Sequence, residues 1–383
     1  MVMPTRIRLL QLLADGRFHS GESLAVALGV SRAAIWKQVR QLRDAFGQDV
    51  HAVRGRGYRL ARPLDLLDSE RISAQFSDET GAQISVIHLH QSLDSTNSWL
   101  MEQARKGAAN GTVCLAEQQS AGRGRHGRRW ISPYGSNVYL SLLWRFELAP
   151  MRLSGLSLAA GIAVLRTLRE FGAVEAGLKW PNDILWQQKK LAGLLLEVSG
   201  ESEGPAQVVL GVGLNTHMDE QGAVINQPWT DLHSIAGVRP HTRNELVASL
   251  IENLVRVANL YASEGLQPLM QEWHDADLML GRQVVVRNAG ARSRASTGES
   301  MKMVRYCWRW REISAAFMPA KSVSALRDPE AWSCSSILET PRFAGVQWRA
   351  WRTARSAVNS TWVSSHHCSM PNGGSWQRLQ QFG

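Results

Sequence analysis

Apolar positions in the first sixty residues recur at helical spacing. Ile7, Leu10 and Leu13 share one face of a short amphipathic segment over residues 5–14, and Leu24, Ala25 and Leu28 mark a second helix from about Gly21 to Leu28. Gly29 breaks that helix, and Ser31 is placed to cap the next. In the third helix Ile35, Val39, Leu42 and Phe46 repeat at i, i+4, i+7 and i+11, which predicts one buried stripe. Roughly 100° around the same helix lie Arg32, Trp36, Arg40 and Arg43. Two short β-like runs then flank Arg54-Gly55-Arg56-Gly57, a hairpin with a basic tip. Helix, glycine turn, basic-faced helix and basic hairpin is the pattern of a winged helix-turn-helix.

Arg62-Pro63 opens a linker, and from about Ser73 to Leu280 the pattern changes. Val86–Leu89, Thr112–Glu117, Leu178–Trp180, Leu191–Val198 and Gln207–Leu214 are strand-like. Leu156–Phe171 reads as a helix with Leu156, Ala160, Ala163, Val164, Leu168 and Phe171 on one side and Gly172 as its stop. Glu245–Tyr261 is a second long helix. Strands interspersed with helices, without regular βαβ alternation, predict an α+β sheet domain, so the chain is α+β and multidomain. Arg282–Arg287 opens a further strand.

Beyond residue 290 no periodicity survives. Residues 291–383 hold seven of the fifteen Trp, three of the four Cys and fifteen Ser, with two Lys and one Asp. Trp and Cys are usually buried, and this stretch offers no core to bury them in. It reads as out-of-frame translation from near residue 290; the alternatives are an unstructured basic tail or a small domain. The expected organisation is a winged helix-turn-helix domain over 1–63, an α+β sheet domain over 64–276, a strand remnant over 277–290 and an aberrant, disordered tail over 291–383.

Charge alters this picture once it is divided by region. The formal net charge is +10, but residues 1–63 hold eleven Lys/Arg against four Asp/Glu, while residues 64–290 hold nineteen against twenty-four. The basicity sits at the two ends, and only the first end has predicted structure to go with it. A charged helix face alone also suits a protein-interaction module. Combined with the basic hairpin it points to DNA, with Ser31, Arg32, Trp36, Lys37, Arg40, Arg43, Arg54 and Arg56 as the candidate contacts. Four cysteines without a CxxC pair indicate neither a disulfide framework nor a zinc site, and no metal ligands are assigned. No segment resembles a signal peptide or approaches a membrane span, so a cytoplasmic protein without a membrane partner is expected.

Gly122-Arg123-Gly124-Arg125-His126-Gly127-Arg128-Arg129-Trp130 contains G-x-G-x-x-G. A dinucleotide site needs a helix to start inside that motif, and Trp130-Ile131-Ser132-Pro133-Tyr134-Gly135 is not helical. What remains is a flexible loop dense in guanidinium groups, suited to closing over a phosphate or carboxylate, with Trp130 able to stack on a base. Asp94-Ser95-Thr96-Asn97 precedes a helix near Ser98; alone it is an N-cap, though it also offers hydroxyls and free N–H groups to a polar ligand. Lys179-Trp180-Pro181-Asn182-Asp183, Lys189-Lys190-Leu191-Ala192-Gly193 and Gly211-Val212-Gly213-Leu214-Asn215 are strand ends and turns, each unremarkable by itself.

Together, in this order and spacing, these segments resemble the biotin protein ligases over roughly residues 1–290. The N-terminal pattern resembles that of the bifunctional members, the biotin operon repressors. The resemblance implies a central domain like that of class II synthetase-like biotin/lipoate ligases, followed by an SH3-like barrel that here is truncated or lost after Val284–Arg287. It implies ATP with Mg2+, and biotin as substrate, forming biotinoyl-5′-AMP. Biotin then passes to a lysine of the biotin carboxyl carrier protein of acetyl-CoA carboxylase, and the adenylate-bound chain represses as a homodimer. Carried over by position, Ser95, Thr96, Asn97, Gln119, Arg123, Gly124, Arg125 and Lys190 would contact biotin. Arg123, Arg125, Trp130, Asp183 and Asn215 would serve ATP and the adenylate, and Lys190 and Arg125 would be catalytic. Two alternatives stand beside this: a DNA-binding biotin sensor whose ligase activity went with the barrel, and a lipoate ligase, against which the arginine loop and winged helix argue.

Overall fold

The computed structural model describes residues 5–218, 222, 224–288, 291–296 and 322–325. Three helices, α1 (Thr5–Leu13), α2 (Gly21–Leu28) and α3 (Arg32–Phe46), lead into the hairpin β1 (Val50–Val53) and β2 (Gly57–Leu60). Ser31 caps α3, its side chain accepting from Ala34 N, and Ile35, Val39, Leu42 and Phe46 are the buried stripe. In α1 the buried residues are Leu9, Leu10 and Leu13, whereas Ile7 is only half-buried at the cluster's margin. The wing gains a third partner, since His19 exchanges backbone hydrogen bonds of 2.8 Å each way with Tyr58.

The second part runs through α4 (Ser69–Ser73), α5 (Asp78–Gln83), β3 (Val86–His90), α6 (Thr96–Arg105), β4 (Thr112–Ala116), β5 (Val138–Phe146) and α7 (Leu156–Glu170). It continues with β6 (Gly177–Lys179), β7 (Asp183–Trp186), β8 (Lys189–Gly200), β9 (Ala206–Leu214), α8 (Arg243–Glu264) and α9 (Met270–Ala276). Seven strands form one sheet in the order β3-β4-β5-β9-β8-β7-β6, antiparallel except for the β3–β4 pair. Strand alternation splits its side chains between two faces. Val113, Leu140, Leu142, Val208, Leu210 and Val212 join the large core with α7 and α8, while Cys114, Leu143 and Val209 pack with Leu100 and Ala104 of α6. Helix α7 was expected to bury one side; instead it is buried around most of its girth, packed against both the sheet and α8, which also contacts the sheet. The stretch Pro150–Glu170 is apolar and long enough to cross a membrane by composition, yet most of it is buried in the core.

The stretch expected to be a linker is a strap pinned at both ends. Leu64 belongs to the winged-helix core and donates its N–H to Ala14 O, while Leu67 belongs to the sheet core. Tyr134, from the sheet domain, is fully buried in the winged-helix core with its ring 4.9 Å from that of Phe46. β10 (Gln283–Asn288) pairs with β11 (Ala291–Ser296) and β12 (Ser322–Ala325) in a three-stranded antiparallel sheet. Regular backbone pairing therefore continues past residue 290. The remainder of 291–383 lies outside the described residues.

Candidate functional site

A cleft of about 140 Å3 opens on the α6 side of the sheet. Its floor is made by glycine. A Cβ on Gly211 would fall 2.1 Å from Asn97 Oδ1, and one on Gly213 would fall 2.5 Å from the Trp130 ring, so any side chain there would fill the site. Ser141 of β5, Gly211 of β9 and Leu195 of β8 lie in register across this face.

One β-bulge decides where Lys190 points. Ile184 pairs with Ala192 but Leu185 pairs with Lys190, leaving Leu191 as the extra residue on β8. The bulge turns Lys190 onto the same face as Gly193, Leu195 and Glu197, which strict alternation would deny it. Its ammonium there lies 2.7 Å from Asp183 Oδ1 and 5.3 Å from the centre of the Trp130 ring.

The arginine loop is a closed hairpin. Gly124 N donates to Arg128 O (2.7 Å) and Trp130 N to Gly122 O (2.8 Å), with a single three-residue 3-10 turn at Arg125–Gly127. No α-helix starts in the motif, so it is not a dinucleotide fingerprint. The base of this loop, expected to be flexible, is anchored, with Arg123 donating to Ser98 Oγ (3.1 Å) and Glu197 Oε1 (3.0 Å).

On the opposite wall Ser95 caps α6, which starts two residues earlier than expected. Thr96 donates both its N–H (2.8 Å) and its hydroxyl (3.2 Å) to Gln119 Oε1, and Gln119 Nε2 donates to Ser132 Oγ (3.1 Å). The Asn97 amide is consumed by the protein. Its Nδ2 donates to Leu195 O and Glu197 Oε2, both at 3.0 Å, and its Oδ1 accepts from Ser141 Oγ at 2.6 Å. Asn97 thus braces the wall of the cleft that it lines.

Ser95, Thr96, Asn97, Gln119, Arg123, Gly124, Arg125, Trp130, Asp183 and Lys190 all line the cleft. Asn215 does not: it is buried behind the cleft, its Nδ2 donating to Thr230 O (3.0 Å) and Lys190 O (3.4 Å), and so it holds the backbone of the lysine strand. Lys179 was missed, being hidden at a strand end, and it lines the same cleft. Burial first, and then the charges of Lys190 and Arg128, lower its pKa against the opposing pull of Asp183. Burial likewise lowers that of Arg125, with Asp183 opposing and Arg128 reinforcing. The lining therefore sets Arg123, Arg125, Arg128, Arg129, Lys179 and Lys190 against the single carboxylate of Asp183. Such a cleft can bring two anions together.

A second surface lies on the winged helix. Arg32, Trp36, Lys37, Arg40 and Arg43 are exposed along α3, and Arg54 and Arg56 are exposed at the wing. Arg40 lies over the Trp36 ring at 4.9 Å. Phe18, which the sequence did not single out, sits beneath Arg56 (4.3 Å) and Arg59 (4.9 Å), holding the basic wing in shape.

Residues 89–215 match the model of the Biotin/lipoate A/B protein ligase family, and residues 5–59 match an HTH domain model. The chain is 43% identical over 279 residues to Bifunctional ligase/repressor BirA of Escherichia coli (strain K12), covering 73% of this chain and 84% of that protein. It is 31% identical over 280 residues to Bifunctional ligase/repressor BirA of Bacillus subtilis (strain 168), covering 72% and 84%. Among solved structures, biotin protein ligase from Aquifex aeolicus in complex with biotin and ATP is 26% identical, with a TM-score of 0.48, over 56% of this chain and 87% of that one.

Proposed function

The chain belongs to the biotin protein ligase family, in its bifunctional ligase/repressor branch, and from that premise we propose how its cleft and its winged helix divide the work. The enzyme is an ATP-dependent biotin ligase. A biotin carboxylate oxygen attacks the α-phosphorus of ATP, forming biotinoyl-5′-AMP and releasing pyrophosphate. The amine of an acceptor lysine, on the biotin carboxyl carrier protein of acetyl-CoA carboxylase, then attacks the acyl carbon and AMP departs.

The observation that carries this is the placement of Lys190, turned into a glycine-floored cleft whose lining holds six cationic side chains and one carboxylate. Both reactants of the first step are anions, so the protein must neutralise and align them rather than supply a nucleophile. Lys190 bridges the biotin carboxylate and the α-phosphate, with Arg125 on the phosphate. Ser95, Thr96 and Gln119 form the biotin wall, and Arg123 with Gly124 closes the mouth, keeping water from the mixed anhydride. Trp130 stacks on adenine. Asp183, paired with Lys190 before substrate arrives, fixes where the ammonium waits.

Mg2+ enters with the nucleotide. Among the described residues no group of three or more His, Cys, Asp or Glu side chains could hold a metal ion. No step here depends on a resident metal.

The winged helix binds the operator, and the adenylate acts as corepressor by favouring a homodimer on it. A cytoplasmic setting follows from needing ATP, the carrier and DNA together. The domains divide at about residue 63, the catalytic part ending near 276. Incubation with biotin, ATP and a carrier domain is expected to label the carrier. A chain that binds biotin and leaves the carrier unlabelled is instead a sensor, and displacement of biotin by lipoate would mark a lipoate ligase. Arg40→Ala is expected to weaken duplex binding and lower the salt slope by about one unit, with biotinylation intact. An unchanged slope on titration at several salt concentrations would move the DNA face elsewhere.

A further inference from the structure

We propose that Glu197 is a positioning residue that fastens the arginine loop to the biotin wall before substrate arrives. The inference rests on the ligase assignment above, because it concerns the same cleft.

Glu197 is absent from the cleft lining, yet its two carboxylate oxygens hold two parts of the cleft. Oε2 accepts from Asn97 Nδ2 and Oε1 from Arg123 Nη2, each at 3.0 Å. Asn97 belongs to the first turn of α6, beside Thr96, and is 3% exposed. Arg123 belongs to the loop that must close, and its other terminal nitrogen reaches Ser98 on the same helix turn. One carboxylate therefore ties loop to wall. It can do so because Glu197 pairs with Val209, whose side chain is on the α6 face of the sheet. A carboxylate beside a site built for anions works against binding by simple charge. Its presence is accounted for if the tether offsets that repulsion by ordering the loop, since a loop ordered only on binding weakens affinity.

Glu197→Gln separates the two bonds. Glutamine keeps the shape but offers one oxygen, so its amide nitrogen must face a second donor, Asn97 Nδ2 or Arg123 Nη2. Burial of Asn97 favours keeping its acceptor, which releases Arg123. The Arg123 contact is half-exposed, so its loss is worth about fivefold.

The full chain carrying Glu197→Gln is expected to raise the biotin KM about fivefold, with kcat and the ATP KM little changed. In the ligand-free chain, tryptic cleavage after Arg125, Arg128 or Arg129 should quicken by a similar factor, with an unmoved thermal midpoint. Arg123→Gln cuts the tether from its other end and should quicken the same cleavages, which covers the case of a Glu197 variant that misfolds. An unchanged biotin KM with unchanged cleavage overturns the proposal, as does a parallel loss in kcat, both KM values and thermal midpoint. Cleavage needs no substrate. Faster cleavage in a chain whose unaltered form makes no adenylate would uphold the tether while refuting the ligase assignment.

Discussion

Lys190→Ala is expected to slow biotinoyl-adenylate formation by about three orders of magnitude, while binding of DNA without biotin stays unchanged. Removing a single neutral donor from a site of developing charge typically costs about a hundred- to a thousandfold. Lys190 carries a full charge in a partly buried cleft, so the upper end applies. The neighbouring cations do not replace it. Lys179 comes from the far side of Asp183 on β6, and the arginines belong to a hairpin anchored through Gly124 and Trp130. Arginine at position 190 should recover little, because a planar fork does not fit where a compact ammonium lies between Asp183 and the Trp130 ring. Pyrophosphate release in a single turnover measures the effect, with a thermal melt beside it because Asp183 loses its partner. Release at a near-normal rate would remove Lys190 from the chemistry.

Lys190 could be singled out from the sequence, but what aims it could not. Its place in a Lys-Lys-Leu-Ala-Gly run marks a strand start, and plain alternation from that start would put Lys190 opposite Gly193 and Glu197. Only the slipped register against β7 reverses this, and a bulge without a glycine or proline at it leaves no local signal. Glu197 and Ser141 escaped notice for a related reason: they are ordinary residues brought to the site from far along the chain. Asn97 and Asn215 were found by their motifs, but a motif marks a position without saying which partners the protein itself supplies to it. Among the elements, α3 was legible because one face meets solvent and the other a core. β5 was not, since Val138–Phe146 is buried on both faces of the sheet and shows no alternation. The same absence of a wet side made α7 look one-sided when it is enclosed.

Arg243→Met is expected to destabilise the protein by about 3–5 kcal/mol, a drop in thermal midpoint on the order of 10 °C for a unit of this size. The Arg243 and Glu117 side chains are 7% and 0% exposed, 2.9 Å apart. Their pairing is not the whole of it. Arg243 also donates to Asp65 O (2.8 Å) and Asn137 O (2.9 Å), and Glu117 Oε1 accepts from Leu67 N (2.6 Å). One ion pair thus holds the strap that joins the winged helix to the sheet, together with the segment that follows the arginine loop. Removing the cation leaves a carboxylate buried without a counter-charge, which is the costly way to break such a pair. Replacing both partners, as Glu117→Leu with Arg243→Met, removes that stranded charge and should recover part of the loss. Recovery stays incomplete because three backbone groups still lack partners, each costing about 1–3 kcal/mol when buried. The exposed pair Lys106–Glu102, at 2.6 Å, is the control: Lys106→Ala should leave the thermal midpoint nearly unmoved despite the shorter distance, because solvent screens the pair. If the Arg243 and Lys106 variants melt alike, burial is not what gives the junction its strength, and the strap is held by its apolar anchors, Leu64 and Leu67, alone.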